Sequence, residues 1–407
     1  MSDTSAPSSA APPKQRIALF LDGTWNTVDT NTNVWRLKSL CAPTSVDGCP
    51  QRVYYTQGLG TKFGEKARGG IFGWGLDQAV IAAYEWLMDV YNGGDEIFIF
   101  GFSRGAYTAR SLAGLVSKCG LLIPGSTLSV SQTYDRYRAG GEPSIYEIID
   151  LAKRNVRKLE FEENWLLKYS RPVPIKVTAV WDTVGALGIP YGNLSVIRKT
   201  RRQFLDTNLR VSEDMSFHAL AIDEHRASFE PTLWTKYVPT NTADVDPDAP
   251  KPRPLSQVEQ RWFVGAHANV GGGCPSDLLA PLPLKWMMTK AATAGFSFVR
   301  EIDVDSAFTK SPISDSFAEF MGGFYKAAKF GIPYYRTIGK EPWKTESGKS
   351  IVHTINETID ESVFERWRKD PTYRPKNLVE WAKRQNVEVA KLIDSVRADD
   401  PKISVPA

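Results

Sequence analysis

The chain has few of the residues on which specialised scaffolds are built. Only four cysteines, Cys41, Cys49, Cys119 and Cys274, are spread over 407 residues. None makes a C-x-x-C pair, so the sequence encodes neither a disulfide framework nor a cysteine zinc site. They read as free, partly buried thiols. Histidine is as scarce, with His218, His225, His267 and His353 the full set. No H-E-x-x-H pattern offers a metal site, and neither a metal nor a cofactor is expected. Neither charge sign dominates: 50 basic against 46 acidic residues leave +4, too mild to argue for a nucleic-acid partner. No run is long and apolar enough to span a bilayer. Met1 to Gln15 is rich in Ser, Ala and Pro without an apolar core, so it reads as a disordered tail and not as a signal peptide. The expectation is a soluble protein, cytoplasmic or exported without a cleaved leader.

What the chain does have is a series of short apolar strands, each ending in polar, glycine-bearing residues. Ile97 to Phe100 follows Gly93 and Gly94 and suits a buried parallel strand. Ala106 to Val116 is good helix sequence, with Gly120 placed to end it. Between them lie Gly101, Phe102, Ser103, Arg104 and Gly105, a G-x-S-x-G turn. Gly101 and Gly105 have no Cβ and let strand and helix approach closely, and the helix N-terminus points its N–H groups toward charge developing beside Ser103. The pattern reads as a nucleophile elbow.

The other segments fall into place around it. Ile17 to Leu21 is a strand ending in Asp22, Gly23, Thr24, Trp25 and Asn26. Asn33 to Leu40 reads as a helix, Arg52 to Thr56 as a strand, Gly58 to Gly75 as a glycine-rich loop, and Leu76 to Tyr91 as an amphipathic helix. Pro174 to Val180 is a strand running into Trp181, Asp182 and Thr183. Phe217 to Ala227 reads as a helix or strand edge, and Val238 to Leu255 as an exposed loop. Gln260 to Val264 is a strand ending in Gly265, Ala266 and His267, and Leu278 to Ala292 reads as a helix. Further helices are expected near Asp315 to Lys329 and Asn377 to Val396. This order predicts an α/β fold: a doubly wound, mainly parallel sheet of the α/β-hydrolase type, with helical insertions over the site. One domain is expected over 16–407, with cap insertions at 121–170 and 190–215 and a helical extension from about 293.

Three strand ends carry Ser103, Asp182 and His267 in the α/β-hydrolase order of nucleophile, acid and base. A serine hydroxyl is a weak nucleophile unless a histidine takes its proton, and a carboxylate on the other ring nitrogen fixes the tautomer. His267 is favoured as base because it follows a strand in a glycine-rich loop. His218 and His225 lie in a helix-like run and read as structural, and His353 reads as a surface residue. Asp182 competes with Asp22, Asp223 and Asp277, and its place directly after an apolar strand favours it. The oxyanion hole needs two N–H donors: Arg104 for one, and Gly23 or Thr24 for the other, with Asp22 holding that loop. Other motifs fail. Gly348, Lys349 and Ser350 end like a P-loop, but Trp343 stands where its first glycine belongs. Gly58 and Gly60 lack the third glycine of a dinucleotide fingerprint.

The motifs carry a family resemblance when taken together. Leu21 to Asn26, Gly101 to Ala106, Trp181 to Gly185, Ala219 to Glu224 with Phe229 to Trp234, and His267 to Gly273 occur in that order. The chain resembles the α/β-hydrolase domain of the type VI secretion phospholipase effectors and their uncharacterised relatives, over roughly Arg16 to Ala292. The resemblance implies a Ser-Asp-His hydrolase acting on lipid esters, with Ser103, Asp182 and His267 in those roles. The chain is expected to lack the long membrane-anchoring module of the larger effectors. The substrate expected is an acyl ester or phospholipid, with peripheral membrane contact possible through Phe317, Phe320, Met321, Phe324 and Ala328, which share a helical face, or through Arg198, Lys199, Arg201 and Arg202. A buried core helix and a solvated loop are the competing readings of these two features. A non-lipid carboxylesterase or polyester hydrolase, and a catalytically silent binding relative, are the alternatives for the whole chain.

Overall fold

The computed structural model describes residues 13–24, 30–58, 69–139, 141–185, 213–241, 252–274, 277–319, 326, 329–345 and 347–398. In chain order the first elements are β1 (Arg16–Thr24), α1 (Asn33–Ser39), β2 (Gln51–Gly58), α2 (Gly69–Val90), β3 (Glu96–Phe102) and α3 (Arg104–Cys119). Next come β4 (Leu121–Leu122), α4 (Val130–Ala139), α5 (Ile145–Arg154), α6 (Phe161–Tyr169), β5 (Ser170–Arg171) and β6 (Ile175–Trp181). They are followed by β7 (Glu213–Ala221), β8 (Thr235–Pro239), β9 (Val258–Phe263), α7 (His267–Gly271) and α8 (Pro281–Thr293). The last are β10 (Trp343–Lys344), β11 (Ser350–Thr354), β12 (Glu357–Ile359), α9 (Glu361–Lys369), α10 (Lys376–Gln385) and β13 (Val396–Arg397).

Eight strands form one sheet in the order β13-β12-β9-β7-β6-β3-β1-β2. Every neighbouring pair is parallel except β12 with β13 at the edge. Parallel strands covered on both faces need apolar side chains in both directions, which is why these strands are near-continuous apolar runs. In β1, Ile17, Leu19 and Leu21 point into the core shared with α2 and α3, while Ala18 and Phe20 point into the core beneath α1 and α8. In β3, Ile97 and Ile99 alternate in the same way with Phe98, Phe100 and Phe102. Phe20 and Phe100 stack across the ladder at 4.9 Å. The doubly wound, mainly parallel sheet expected from the sequence is the fold observed.

Several local expectations differ from the structure. Phe217 to Ala221 is neither helix nor strand edge but part of β7, an interior strand. His218 disguises it: a polar ring inside a buried run is tolerated because both of its nitrogens are engaged. Helix α2 begins at Gly69, inside the expected loop. Helix α8 begins later than expected, at Pro281, because proline is pre-organised for the first helical turn and lacks the N–H a later position would need. The helix expected over 377–396 stops at Gln385, where Asn386 takes a left-handed conformation.

The segment 121–170, expected as a cap, forms α4, α5 and α6; α4 packs against α2 and α3, α5 against α3, and α6 against α5. The Tyr134 hydroxyl donates to Asp77 at 2.7 Å, and the Tyr137 ring lies on Gly114. Of the second expected insertion, residues 190–212 lie outside the described residues and 213–215 open β7. So do Arg198 to Arg202, and most of the apolar face beginning at Phe317. Residues after 293 do more than add helices. β12 pairs with β9, β10 and β11 build a small antiparallel sheet with β8, and α9 and α10 bury Phe364, Leu378 and Trp381 against Trp262 and Leu220.

Candidate active site

Ser103 sits between β3 and α3 with φ +58° and ψ −120°, a backbone conformation that L-residues avoid unless their surroundings impose it. Two contacts impose it. Its N–H donates to Trp181 O at 3.0 Å, and the turn is clamped against the end of β1. A Cβ on Gly105 would lie 2.1 Å from Leu21 O and 2.5 Å from Asp22 O. Backbone carbonyls cannot yield as a side chain would. Gly105→Ala is therefore expected to lower unfolding free energy by about 3 kcal/mol or more, read by urea denaturation; an unchanged midpoint would mean that the turn is looser than described.

Asp182 follows β6, the strand beside β3, and Phe102 and Trp181 are partners in that ladder. It also has a positive φ, +41°. Its N–H donates to Ala219 O at 2.7 Å, and its side chain has no solvent exposure. His267 opens α7 after β9. The three meet at the carboxyl edge of the sheet, where open α/β sheets place their sites. His267 Nε2 lies 2.9 Å from Ser103 Oγ and His267 Nδ1 lies 2.5 Å from Asp182 Oδ2. The ring is held between Phe102, at 4.7 Å between centroids, and Phe229, edge-on at 5.0 Å.

The carboxylate end of this chain is heavily supported. Ala221 N–H donates to Asp182 Oδ1 at 3.0 Å. Arg336 forks onto both oxygens, Nη1 to Oδ1 at 2.7 Å and Nη2 to Oδ2 at 2.9 Å. Burial alone would raise the Asp182 pKa; the Arg336 guanidinium and His267 outweigh it and hold the group below the usual carboxylate range. For His267 the balance runs the other way: burial lowers its pKa and Asp182 only partly restores it. These directions favour a neutral imidazole beside an ionised Asp182, the tautomer in which Nδ1–H donates to the carboxylate and the Nε2 lone pair faces the serine.

A second buried pair steadies the histidine loop. The His267 N–H reaches Glu224 Oε2 at 3.3 Å, and Ser316 Oγ donates to the same oxygen at 2.9 Å. Arg226 forks onto Glu224 at 2.7 and 2.8 Å. Burial raises Glu224, but Arg226 outweighs it and brings it down to about 2. The Arg226 guanidinium also lies 3.4 Å from the centre of the Phe229 ring, so one cation fixes both an anchor and a wall of the histidine pocket.

The competing carboxylates have other partners. Asp223 accepts from Gly265 N–H at 2.8 Å and from the Tyr373 hydroxyl at 3.0 Å, tying the loop before His267 to the C-terminal segment. Asp277 accepts from Leu279 N–H at 2.8 Å. Asp22 accepts from Thr32 Oγ1 at 2.6 Å, from the Tyr55 hydroxyl at 3.2 Å and from Gly23 N–H at 2.8 Å. It thereby links the end of β1 to Thr32 and engages Gly23 N–H, the alternative to Thr24 as the second oxyanion donor expected beside Arg104. Thr24 closes β1 opposite Gly58, and Arg104 is the first residue of α3. Gly101 lies under the start of that helix, where a Cβ would meet Gly105 O at 2.5 Å.

The remaining histidines lie apart from the serine. His218 Nε2 accepts from Thr183 N–H at 3.0 Å, with Nδ1 3.4 Å from Gln260 Oε1. Burial, helped by Arg110, lowers it to about 3, so it stays neutral and braces the backbone just after Asp182. His225 Nδ1 meets Tyr334 O at 3.0 Å, and His353 pairs with Lys236 in the small sheet. Among the described residues no cluster of three or more His, Cys, Asp or Glu side chains is placed to hold a metal ion, and no helix is long and apolar enough to cross a membrane.

Arg336 and Arg226 are residues that sequence reasoning missed altogether. Glu224 and Phe229 stood in quoted motifs without a role; Glu224 follows the end of β7, and Phe229 closes a short 3-10 turn after it.

Known proteins resemble this chain over much of its length. The family model described as type VI secretion system phospholipase effector Tle1-like, catalytic domain, matches residues 15–290. An uncharacterized protein of Saccharomyces cerevisiae is 28% identical over 255 residues, covering 57% of this chain and 35% of that protein; the chain thus spans about a third of that relative. Among solved structures, an uncharacterized protein from Pseudomonas aeruginosa is 18% identical, with TM-score 0.40, over 78% of this chain and 51% of that one. A Tle1 effector solved bound to the VgrG spike of the type 6 secretion system is 17% identical, with TM-score 0.34, over 67% of this chain and 56% of that one.

Proposed function

The chain belongs to the Tle1-like phospholipase effector catalytic-domain family, and on that premise we propose that it is a serine hydrolase cleaving acyl esters of phospholipids. The observation that carries the reading is the unbroken hydrogen-bond chain from Ser103 through His267 to Asp182, at 2.9 and 2.5 Å. Family membership supports the lipid class of the substrate; the geometry supports the chemistry.

In this reading Ser103 Oγ attacks the ester carbonyl while His267 Nε2 takes its proton. The Asp182 carboxylate keeps the other ring proton on Nδ1 and stabilises the imidazolium. The carbonyl oxygen, now negative, is received by the Arg104 N–H at the head of α3 and by Thr24 N–H, since Asp22 occupies that of Gly23. Each such donor is worth about 3 kcal/mol to the transition state. Collapse of the tetrahedral intermediate breaks the ester C–O bond, and the imidazolium gives its proton to the leaving alcohol. Water then attacks the acyl-serine with His267 again as base, releasing a fatty acid and restoring the hydroxyl.

The test is labelling by a fluorophosphonate, in which Ser103 Oγ displaces fluoride from phosphorus. The modified peptide is expected to contain Ser103 alone, and phospholipid vesicles are expected to yield free fatty acid. Because burial lowers the His267 pKa, its lone pair is available at lower pH than that of an ordinary imidazole. The acid limb of kcat/KM is expected below pH ~6.5, the unperturbed histidine value. A label elsewhere would end the triad assignment. Cleavage of short esters with intact vesicles would end the phospholipid assignment alone.

A further inference from the structure

We infer that Arg336 is a positioning residue of this site, a fourth member that holds Asp182 ionised and correctly oriented. The inference rests on the triad reading above and extends it to a residue beyond the stretch, 15–290, that matches the family.

Arg336 is 1% exposed and Asp182 is not exposed at all. A carboxylate in such a place tends to bind a proton, because burial disfavours its charge. A protonated Asp182 would lose its grip on the Nδ1 proton and its attraction for the imidazolium. The neutral donors nearby, Ala221 N–H and the His267 ring, are too few to hold a buried anion. Arg336 supplies the counter-charge and also a plane. Its two nitrogens bond the two carboxylate oxygens separately, and the planar fork fixes carboxylate rotation as a point charge would not. Arg336 is itself held, donating from Nη1 to Ala221 O at 2.7 Å and from Nη2 to Phe229 O. Phe229 is the residue whose ring walls the histidine, so one guanidinium ties the acid to the pocket of the base.

Other charges surround the pair and must be counted. Glu224 lies on the backbone side of His267 with Arg226 paired to it, and the two act on the ring in opposite directions. His218 braces Thr183 from β7 and is neutral, with Arg110 beyond it. None of these forks onto Asp182. Without Arg336 the Asp182–His267 pair as a unit would hold a proton more tightly, so the site would need a higher pH to reach its active form.

The experiment uses the full chain and two variants, with the fluorophosphonate labelling rate and kcat/KM followed against pH. Arg336→Gln removes the charge and is expected to raise the acid limb by about one pH unit, the lower end of what one adjacent charge contributes. Arg336→Lys keeps a charge without the fork. It is expected to leave the limb near its wild-type position and KM unchanged while kcat falls about tenfold through the loss of orientation. A merely structural Arg336 would lower the folded fraction and leave the acid limb of the folded molecules where it was. That outcome for Arg336→Gln overturns the inference. Should Arg336→Gln not fold, wild-type kcat in Arg336→Lys overturns it instead. Wild-type labelling separates the two levels. No label on Ser103 sinks the hydrolase reading and this inference together; a label on Ser103 with an unmoved limb sinks this inference alone.

Discussion

Ser103→Ala is expected to lower kcat by about 10⁵- to 10⁶-fold, and His267→Ala by a similar factor. The double variant should be scarcely worse than either single one. The reason is mechanical. In the proposed mechanism Ser103 Oγ and His267 Nε2, 2.9 Å apart, act as one proton-transfer pair. Removing either end removes the whole step, and what remains is substrate binding and the oxyanion donors. Neither substitution should unfold the protein. The strain at Ser103 lies in its backbone, held by the Trp181 carbonyl and by the close approach of Gly105 to Leu21, and alanine keeps both. Steady-state rates on a soluble ester, set beside thermal melts, would check this. A Ser103→Ala variant with wild-type melting and more than about a hundredth of wild-type turnover would not be compatible with a serine nucleophile.

Asp182→Asn is expected to cost less rate but much more stability. An asparagine amide facing Nδ1 favours the ring tautomer that places the proton on Nε2, toward the serine, and a loss of about 10⁴-fold in kcat follows. The same change leaves the Arg336 guanidinium buried without its counter-ion. Breaking one side of a buried pair costs about 3–5 kcal/mol, so urea midpoints should fall sharply, unlike those of Ser103→Ala. Pairing Asp182→Asn with Arg336→Met removes the orphaned charge as well. That double variant should recover most of the stability and none of the rate. Full stability in Asp182→Asn alone would mean that water reaches Arg336 and that the carboxylate is less sealed than its burial indicates.

How legible all this was in the sequence depended on distance along the chain. β1, β3 and β6 could be read because an apolar run, a turn and a polar strand end are local features. Ser103, Asp182 and His267 could be singled out for the same reason, each being the first polar residue past such a run. β7 was obscured by His218, whose hydrogen bonds to Thr183 and Gln260 are supplied by other strands. Gly23 N–H looked available because nothing in a linear reading shows the Asp22 carboxylate turning back to meet it. Arg336 carried no local signal. Its partner stands 154 positions earlier, and an arginine in a loop between two tyrosines and a threonine looks like any surface arginine. Pairing of β12 with β9 and of β11 with β8, with the Tyr373 bond to Asp223, folds the C-terminal segment back toward the site, and a linear reading shows none of these pairings.

That late pairing has a consequence for the protein while it is being made. A ribosome releases Ser103, Asp182 and His267 well before it reaches Arg336 and the strand that will cover the open edge of β9. Until then the carboxylate has no cation beside it, the histidine pocket lacks the tie to Phe229, and Asp223 lacks the Tyr373 hydroxyl. A half-translated chain, or one broken by a protease within this last stretch, carries Ser103, Asp182 and His267 without the residues that support them. The proposed site is therefore complete only after the C-terminal segment has been threaded into place.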